Sequence, residues 1–283
     1  MCYHLLLAVF FAYGCAQMTK IDPRELSSRL NTLALASKIY TLEEVGSTNE
    51  LAFELARNGA PHGTVVIADS QTRGRGRLDR NWVSPKGVNL YISFVLRPGM
   101  RLADAPFITF SASIALVEAI GALGVDGAYI KWPNDVLING KKVAGVLTEA
   151  EPDGDNVNFI VLGIGVNINM PRQMIDEELG VEVAPSATSL MEAVGSEVDR
   201  THFAALLIER VESCYGELVN LGTEHIAKEW TARCGMIGKR VEIVNDGEVI
   251  KGVARGINPH GYLMVKTDEG VMERVVAGDV VLD

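Results

Sequence analysis

Residues 128–169 read AYIKWPNDVLINGKKVAGVLTEAEPDGDNVNFIVLGIGVNIN. Four apolar-rich runs lie in this stretch, at 128–132, 136–138, 143–149 and 159–169, divided by turn residues and without a helical period between them. The run from Val143 reads as the return strand of a hairpin begun at Val136. Further β-rich runs lie upstream at 40–45, 64–68 and 88–96. In the last of these, Asn89-Leu90-Tyr91-Ile92-Ser93-Phe94 alternates as expected of a sheet with one face covered. Residues 104–123 are apolar on nearly all sides and predict a buried helix against that sheet. A second long helix is predicted over about 201–220, capped by Asp199 or Thr201. Strands in runs with separate helices give an α+β fold, with a mixed or antiparallel sheet and packed helices, rather than a doubly wound parallel one.

The pattern changes from Gly238. Short strands are predicted at 240–244, 249–256, 262–266, 271–275 and 280–282, joined by turn signals at Asn245-Asp246-Gly247, Asn258-Pro259-His260-Gly261 and Asp268-Glu269-Gly270. This is the size and rhythm of a small SH3-like barrel. At the other end, residues 24–36 allow one short helix, too little for a winged helix-turn-helix, so no DNA-binding head is expected. Leu5–Phe11 is an apolar run without a preceding Lys or Arg and far short of a membrane span. Translation from Met18 is the expectation there, with a cytoplasmic location.

The 283 residues are 48% apolar and 22% charged, and 36 acidic against 26 basic side chains leave a net charge of −10. That balance argues against a general nucleic-acid or membrane-surface binder. Cys2, Cys15, Cys214 and Cys234 are scattered, without a CxxC or a Cys/His pair at metal spacing, so no disulfide scaffold, zinc module or protein-held metal is expected.

Against this acidic background, Gln71-Thr72-Arg73-Gly74-Arg75-Gly76-Arg77-Leu78-Asp79-Arg80-Asn81-Trp82 stands out. Its glycines permit tight turns and close approach, and each guanidinium offers a planar fork of donors suited to phosphate or carboxylate. A flexible anion-binding loop is one reading; a solvated surface loop or an RGG-like nucleic-acid segment are the others. Lys131-Trp132-Pro133-Asn134-Asp135 reads as a turn at a strand end. Only one of Lys141 and Lys142 can face a covered site, because strand neighbours point to opposite sides. Gly163 and Gly165 sit inside a strand, which marks either packing or the close approach of a ligand. Ser47 and Glu50 have capping-box spacing ahead of a helix carrying Leu51, Ala52, Leu55 and Ala56 on one face.

Taken in order, Ser47-Thr48-Asn49, Gln71 through Trp82 with its GRGR core, KWPND at 131–135, KKVAGVL at 141–147 and GIGVNIN at 163–169 resemble the biotin–protein ligases over roughly residues 38–283. Ala187-Thr188-Ser189-Leu190 is a weaker match. The resemblance implies an N-terminal extension at 1–37, a class II synthetase-like catalytic domain at 38–234 and an SH3-like barrel at 235–283. It implies an ATP-dependent ligase that forms biotinyl-5′-AMP and pyrophosphate, then passes biotin to a lysine of a carrier domain in a carboxylase or decarboxylase. Arg75, Arg77 and Lys142 take the catalytic role by this resemblance. Ser47, Thr48, Asn49, Gln71, Arg75, Gly76, Arg77 and Lys142 bind biotin; Arg75, Arg77, Trp82, Lys131, Asn134 and Lys142 bind ATP and the adenylate. Lys141 points away. Mg²⁺ arrives with ATP. Two copies can pair through sheet edges, and DNA is not an expected partner. Lipoate–protein ligases share this fold and are the nearest alternative; a non-enzymatic biotin-responsive regulator is another. The last few residues hold no arginine, so no adenylate contact from the very tail is implied.

Overall fold

The computed structural model describes residues 20–245, 248–276 and 278–282. The apolar run 5–11 and the Met18 start lie outside the described residues, as do Asp246 and Gly247 of the first tail turn and the terminal Asp283. A short helix, α1 (Pro23–Arg29), begins with the Asp22 carboxylate accepting the Arg24 and Glu25 N–H groups.

One seven-stranded sheet follows: β1 (Lys38–Val45), β2 (Thr64–Gln71), β3 (Leu90–Leu96), β4 (Ala128–Lys131), β5 (Asp135–Ile138), β6 (Lys141–Asp153) and β7 (Asn156–Val166), in the spatial order β1-β2-β3-β7-β6-β5-β4. Only β1 and β2 run parallel, and the crossover that a parallel pair requires contains α2 (Thr48–Arg57). Every other neighbouring pair is antiparallel, so the sheet is mixed.

The two faces of this sheet differ. On one, Ile92, Phe94, Ile130, Val136, Val146, Leu162 and Ile164 are buried in a continuous apolar core. Over it lies α3 (Pro106–Ala122), the helix predicted from its all-round apolarity. The chain then passes through α4 (Arg172–Val183), interrupted at Gly180, and the short α5 (Leu190–Val194). Helices α6 (Arg200–Leu221) and α7 (Thr223–Arg233) complete the layer by packing on α3. Asp199 caps α6, accepting the His202 N–H. Helix α7 was not expected: it is polar apart from Ile226 and Trp230, its two buried side chains, and two anchors four residues apart make too short a pattern to register as a period.

The other face is covered only in part. Ala52 and Ala56 of α2 pack on Val66, Val95, Phe159 and Val161. Further along the strands this face carries Ser93, Gly145, Gly163 and Gly165 instead of large apolar residues, and here the sheet is open.

The tail forms a second, antiparallel sheet: β8 (Arg240–Asn245), β9 (Glu248–Ile257), β10 (Leu263–Thr267), β11 (Met272–Val275) and β12 (Asp279–Leu282), in the order β11-β10-β9-β8-β12. This is the expected SH3-like module. Val241, Ile243, Ala254, Leu263 and Val265 join the main apolar core, which fastens the module to the helical side.

Candidate functional site

Cross-strand register defines the floor of the open region. Tyr91, Gly165, Gly145, Asp135 and Lys131 lie opposite one another across β3, β7, β6, β5 and β4. Opposed residues share a face, so this row of side chains points into one cavity. It has a volume of about 670 Å³, and Ser47, Thr48, Asn49, Gln71, Arg75, Gly76, Arg77, Trp82, Lys131, Asn134 and Lys142 all line it. Every site residue expected from the sequence is therefore brought to one place.

The strand glycines make room for side chains that reach over them. A methyl group on Gly163 would collide with the Asn49 amide. At Gly165 it would sit 2.5 Å from the Trp82 indole, and at Gly145 3.1 Å from the same ring. The indole lies on a two-glycine shelf: of the two readings of the strand glycines, packing is the one observed, by side chains that line the cavity. Its N–H is buried and has no partner among the described residues.

At one end of the cavity the polar groups form a chain. Gln71 Oε1 accepts from the Thr48 N–H at 2.9 Å and lies 3.1 Å from the Thr48 hydroxyl, while Gln71 Nε2 donates to Ser84 Oγ at 3.0 Å. Ser93 Oγ lies 2.6 Å from Asn49 Oδ1. Asn49 Nδ2 donates to Glu149 Oε2 at 2.9 Å. The expected capping box is absent. Ser47 holds the N-cap position of α2 without a side-chain cap bond, and Glu50 pairs with Arg73 at 2.9 Å instead of reaching back. Gln71 accepts the Thr48 N–H, one of the four first-turn donors that have no partner within the helix.

At the other end lie the cations. Lys142 Nζ is 2.7 Å from Asp135 Oδ1 and 5.3 Å from the centre of the Trp82 ring. Arg75 pairs with Glu149 Oε1 at 3.0 Å, and Arg77 donates to Asn134 Oδ1 at 3.3 Å. Lys142 owes its place to a β-bulge. Ala144 is opposite Val136, yet Lys142 is opposite Leu137, so Val143 is an extra residue in β6. Without it, Lys141 would share a face with Gly145. With it, Lys142 lines the cavity and Lys141 is exposed.

Sequence reasoning missed several contributors. Asp135 stood inside a quoted motif without a role. Glu149 was legible in principle, since it shares alternating parity with Gly145 and Leu147 on β6. Leu179, Val183 and Ser186, from α4 and the segment after it, also line the cavity, as do Gly278 and Val280 of the tail module. No signal in the sequence brings these together, because the tail and β6 are more than a hundred residues apart.

Other chemistry finds little support. Cys214 and Cys234 are free thiols, and burial pushes them up to about 12 and about 11, which leaves neither as a thiolate. Burial likewise raises the Tyr91 hydroxyl, which donates to the Pro85 carbonyl at 3.0 Å. Among the described residues no three His, Cys, Asp or Glu side chains are grouped to hold a metal ion.

Known proteins resemble this chain over most of its length. Residues 42–167 match the biotin/lipoate A/B protein ligase family, and residues 236–283 match the biotin protein ligase C-terminal domain. The chain is 35% identical to the bifunctional ligase/repressor BirA of Bacillus spizizenii over 263 residues, covering 93% of this chain and 79% of that protein. It is 34% identical to the biotin–[acetyl-CoA-carboxylase] ligase of Mycobacterium tuberculosis, covering 86% and 88%. The structure of the Aquifex aeolicus biotin protein ligase in complex with biotin and ATP superposes with a TM-score of 0.70 at 29% identity, covering 87% of this chain and 99% of that one. The chain belongs to the biotin–protein ligase family.

Proposed function

We propose that this protein is an ATP-dependent biotin–protein ligase. One observation carries the reading: a single cavity holds a polar end built from Ser47, Thr48, Asn49 and Gln71, an indole wall, and a cationic end built from Arg75, Arg77 and Lys142. Biotin has the matching asymmetry, with a ureido group at one end and a carboxylate at the other.

In the first step a biotin carboxylate oxygen attacks the α-phosphorus of ATP. The P–O bond to the β-phosphate breaks, and pyrophosphate leaves with the electron pair. The carboxylate is already ionised, so no general base is needed; the requirement is for cations where negative charge crowds together. Lys142 and Arg75 supply them: Lys142 exchanges Asp135 for ligand oxygens, and Arg75 turns its other guanidinium N–H groups to the ligand while it keeps Glu149. In the second step the amine of a carrier-domain lysine attacks the acyl carbon, the C–O bond to AMP breaks, and the lysine proton passes to solvent. Arg77, Asn134 and Lys131 hold the nucleotide. Loop 74–82 excludes water from the mixed anhydride. Asp135 is the one carboxylate among the described residues lining the cavity, too few for a protein cage around a hard cation; Mg²⁺ would enter bound to the phosphates.

The test is biotin-dependent exchange of labelled pyrophosphate into ATP, with lipoate and octanoate as controls. Exchange with biotin alone is expected. Exchange with lipoate in place of biotin moves the protein to the sister activity, and silence with all three in a folded sample overturns the reading.

A further inference from the structure

Three of the four arginines between Gln71 and Trp82 reach three different elements. Arg73 pairs with Glu50 of α2, Arg75 with Glu149 of β6, and Arg77 with Asn134 in the turn between β4 and β5. These tethers are unequal. The Arg73 side chain is 71% exposed, and a pair so open to water contributes little. The contact between Arg77 and Asn134 is longer and its acceptor is neutral. The Arg75–Glu149 pair is charged on both sides, and the Glu149 side chain is only 25% exposed.

Glu149 also faces inward. Its second oxygen accepts the Asn49 amide at 2.9 Å, and Asn49 lies flat on Gly163 at the polar end of the cavity. One carboxylate thus joins the floor of the site to the loop above it, yet it does not line the cavity itself. Across β6 and β7 it stands opposite Val161, which is buried with Ala52 and Ala56 of α2. A loop fastened at this point is fastened next to the cluster in which α2 packs on the sheet.

We infer that Glu149 is a positioning residue that acts through Arg75 to hold the arginine–glycine loop closed, and so governs retention of the activated intermediate rather than its formation. This rests on the ligase reading above. The reaction makes the distinction meaningful: a mixed anhydride that escapes before the acceptor arrives is hydrolysed, giving AMP and free biotin without transfer. A residue behind Arg75 that does not line the cavity moves this leak without altering attack on the α-phosphorus.

The experiment uses the full chain and measures AMP released per biotin activated in the absence of acceptor, alongside pyrophosphate exchange at saturating biotin. Glu149→Gln keeps the side-chain shape and an acceptor for Asn49 but removes the charge. Leakage is expected to rise roughly tenfold, the low end for a hydrogen bond to a charged group after screening at the half-exposed Arg75, and the KM for biotin to rise with it. The exchange rate at saturating biotin stays within about twofold. In an Arg75→Ala background the Glu149→Gln change is expected to add nothing, as required of residues that act as one unit. Glu149→Asp, which keeps the charge with a shorter reach, falls between wild type and Gln, and it carries the test should the Gln variant unfold. Wild-type retention in the folded variants overturns the inference, as does a Glu149→Gln effect fully additive with Arg75→Ala. Absence of biotin-dependent exchange in the unaltered protein is a separate outcome, since it defeats the ligase reading.

Discussion

The two faces of the seven-stranded sheet are made by the same strands and serve opposite ends. Under α3, α6 and α7, β7 presents Ile160, Leu162, Ile164 and Val166, all buried. One residue out of step, the same strand presents Gly163 and Gly165 to Asn49 and Trp82. Large side chains on one side provide cohesion. Missing side chains on the other leave a shelf on which functional groups lie, and the alternation of a strand lets one segment do both. The open face stays open because its strands carry too little apolar surface there to attract a covering helix.

Four experiments test this contrast. The largest effect is expected on the open face: Lys142→Ala should lose about 10²–10³ of pyrophosphate exchange, the cost of removing one preorganised charge stabiliser, with an unchanged circular dichroism spectrum. Unfolding, or unchanged exchange, would remove Lys142 from the machinery. On the covered face, Leu162→Ala should cost about 2–5 kcal/mol in denaturant unfolding through the cavity it leaves, with KM for biotin near wild type. A KM shift equal to that of an open-face variant would mean the two faces are not separable. Gly165→Ala comes next, because the Trp82 ring must move off its shelf to admit the new methyl. Exchange should fall roughly tenfold and Trp82 fluorescence should change, while stability moves by less than about 1 kcal/mol. The smallest effect tests the bulge. Lys141→Ala should alter exchange by less than about twofold, as surface changes do; a loss matching Lys142→Ala would show that β6 is in the other register.

Much of this was legible in advance, for identifiable reasons. Strands β2 to β7 announce themselves by alternation and by turn residues between them, and α3 by an apolar run too long for a strand. The loop at 73–80 stood out because basic residues in an acidic chain need a local cause. The N-cap of α2 was misread. Ser-x-x-Glu spacing describes a local option, and it lost to a long-range one when Gln71 bonded to Thr48 and Arg73 drew Glu50 away. Helix α7 escaped because its helicity depends on Ile226 and Trp230 docking on α3, an event outside its own residues.

By itself the sequence determined which chemical groups are present and on what local scaffolds: guanidinium groups between glycines, a lysine pair at a hairpin, strand glycines at alternating positions. Those are properties of neighbours along the chain, and periodicity reports them. Tertiary structure alone decided which lysine faces the cavity, through one extra residue in β6 that no pattern within KKVAGVL reveals. It also decided that Asp135 and Glu149 partner the cations and that Gly278 and Val280 close the cavity from the far end of the chain. Register, and contact between distant segments, follow from how whole faces bury together, and that balance is struck only when the sheet and its helices have assembled.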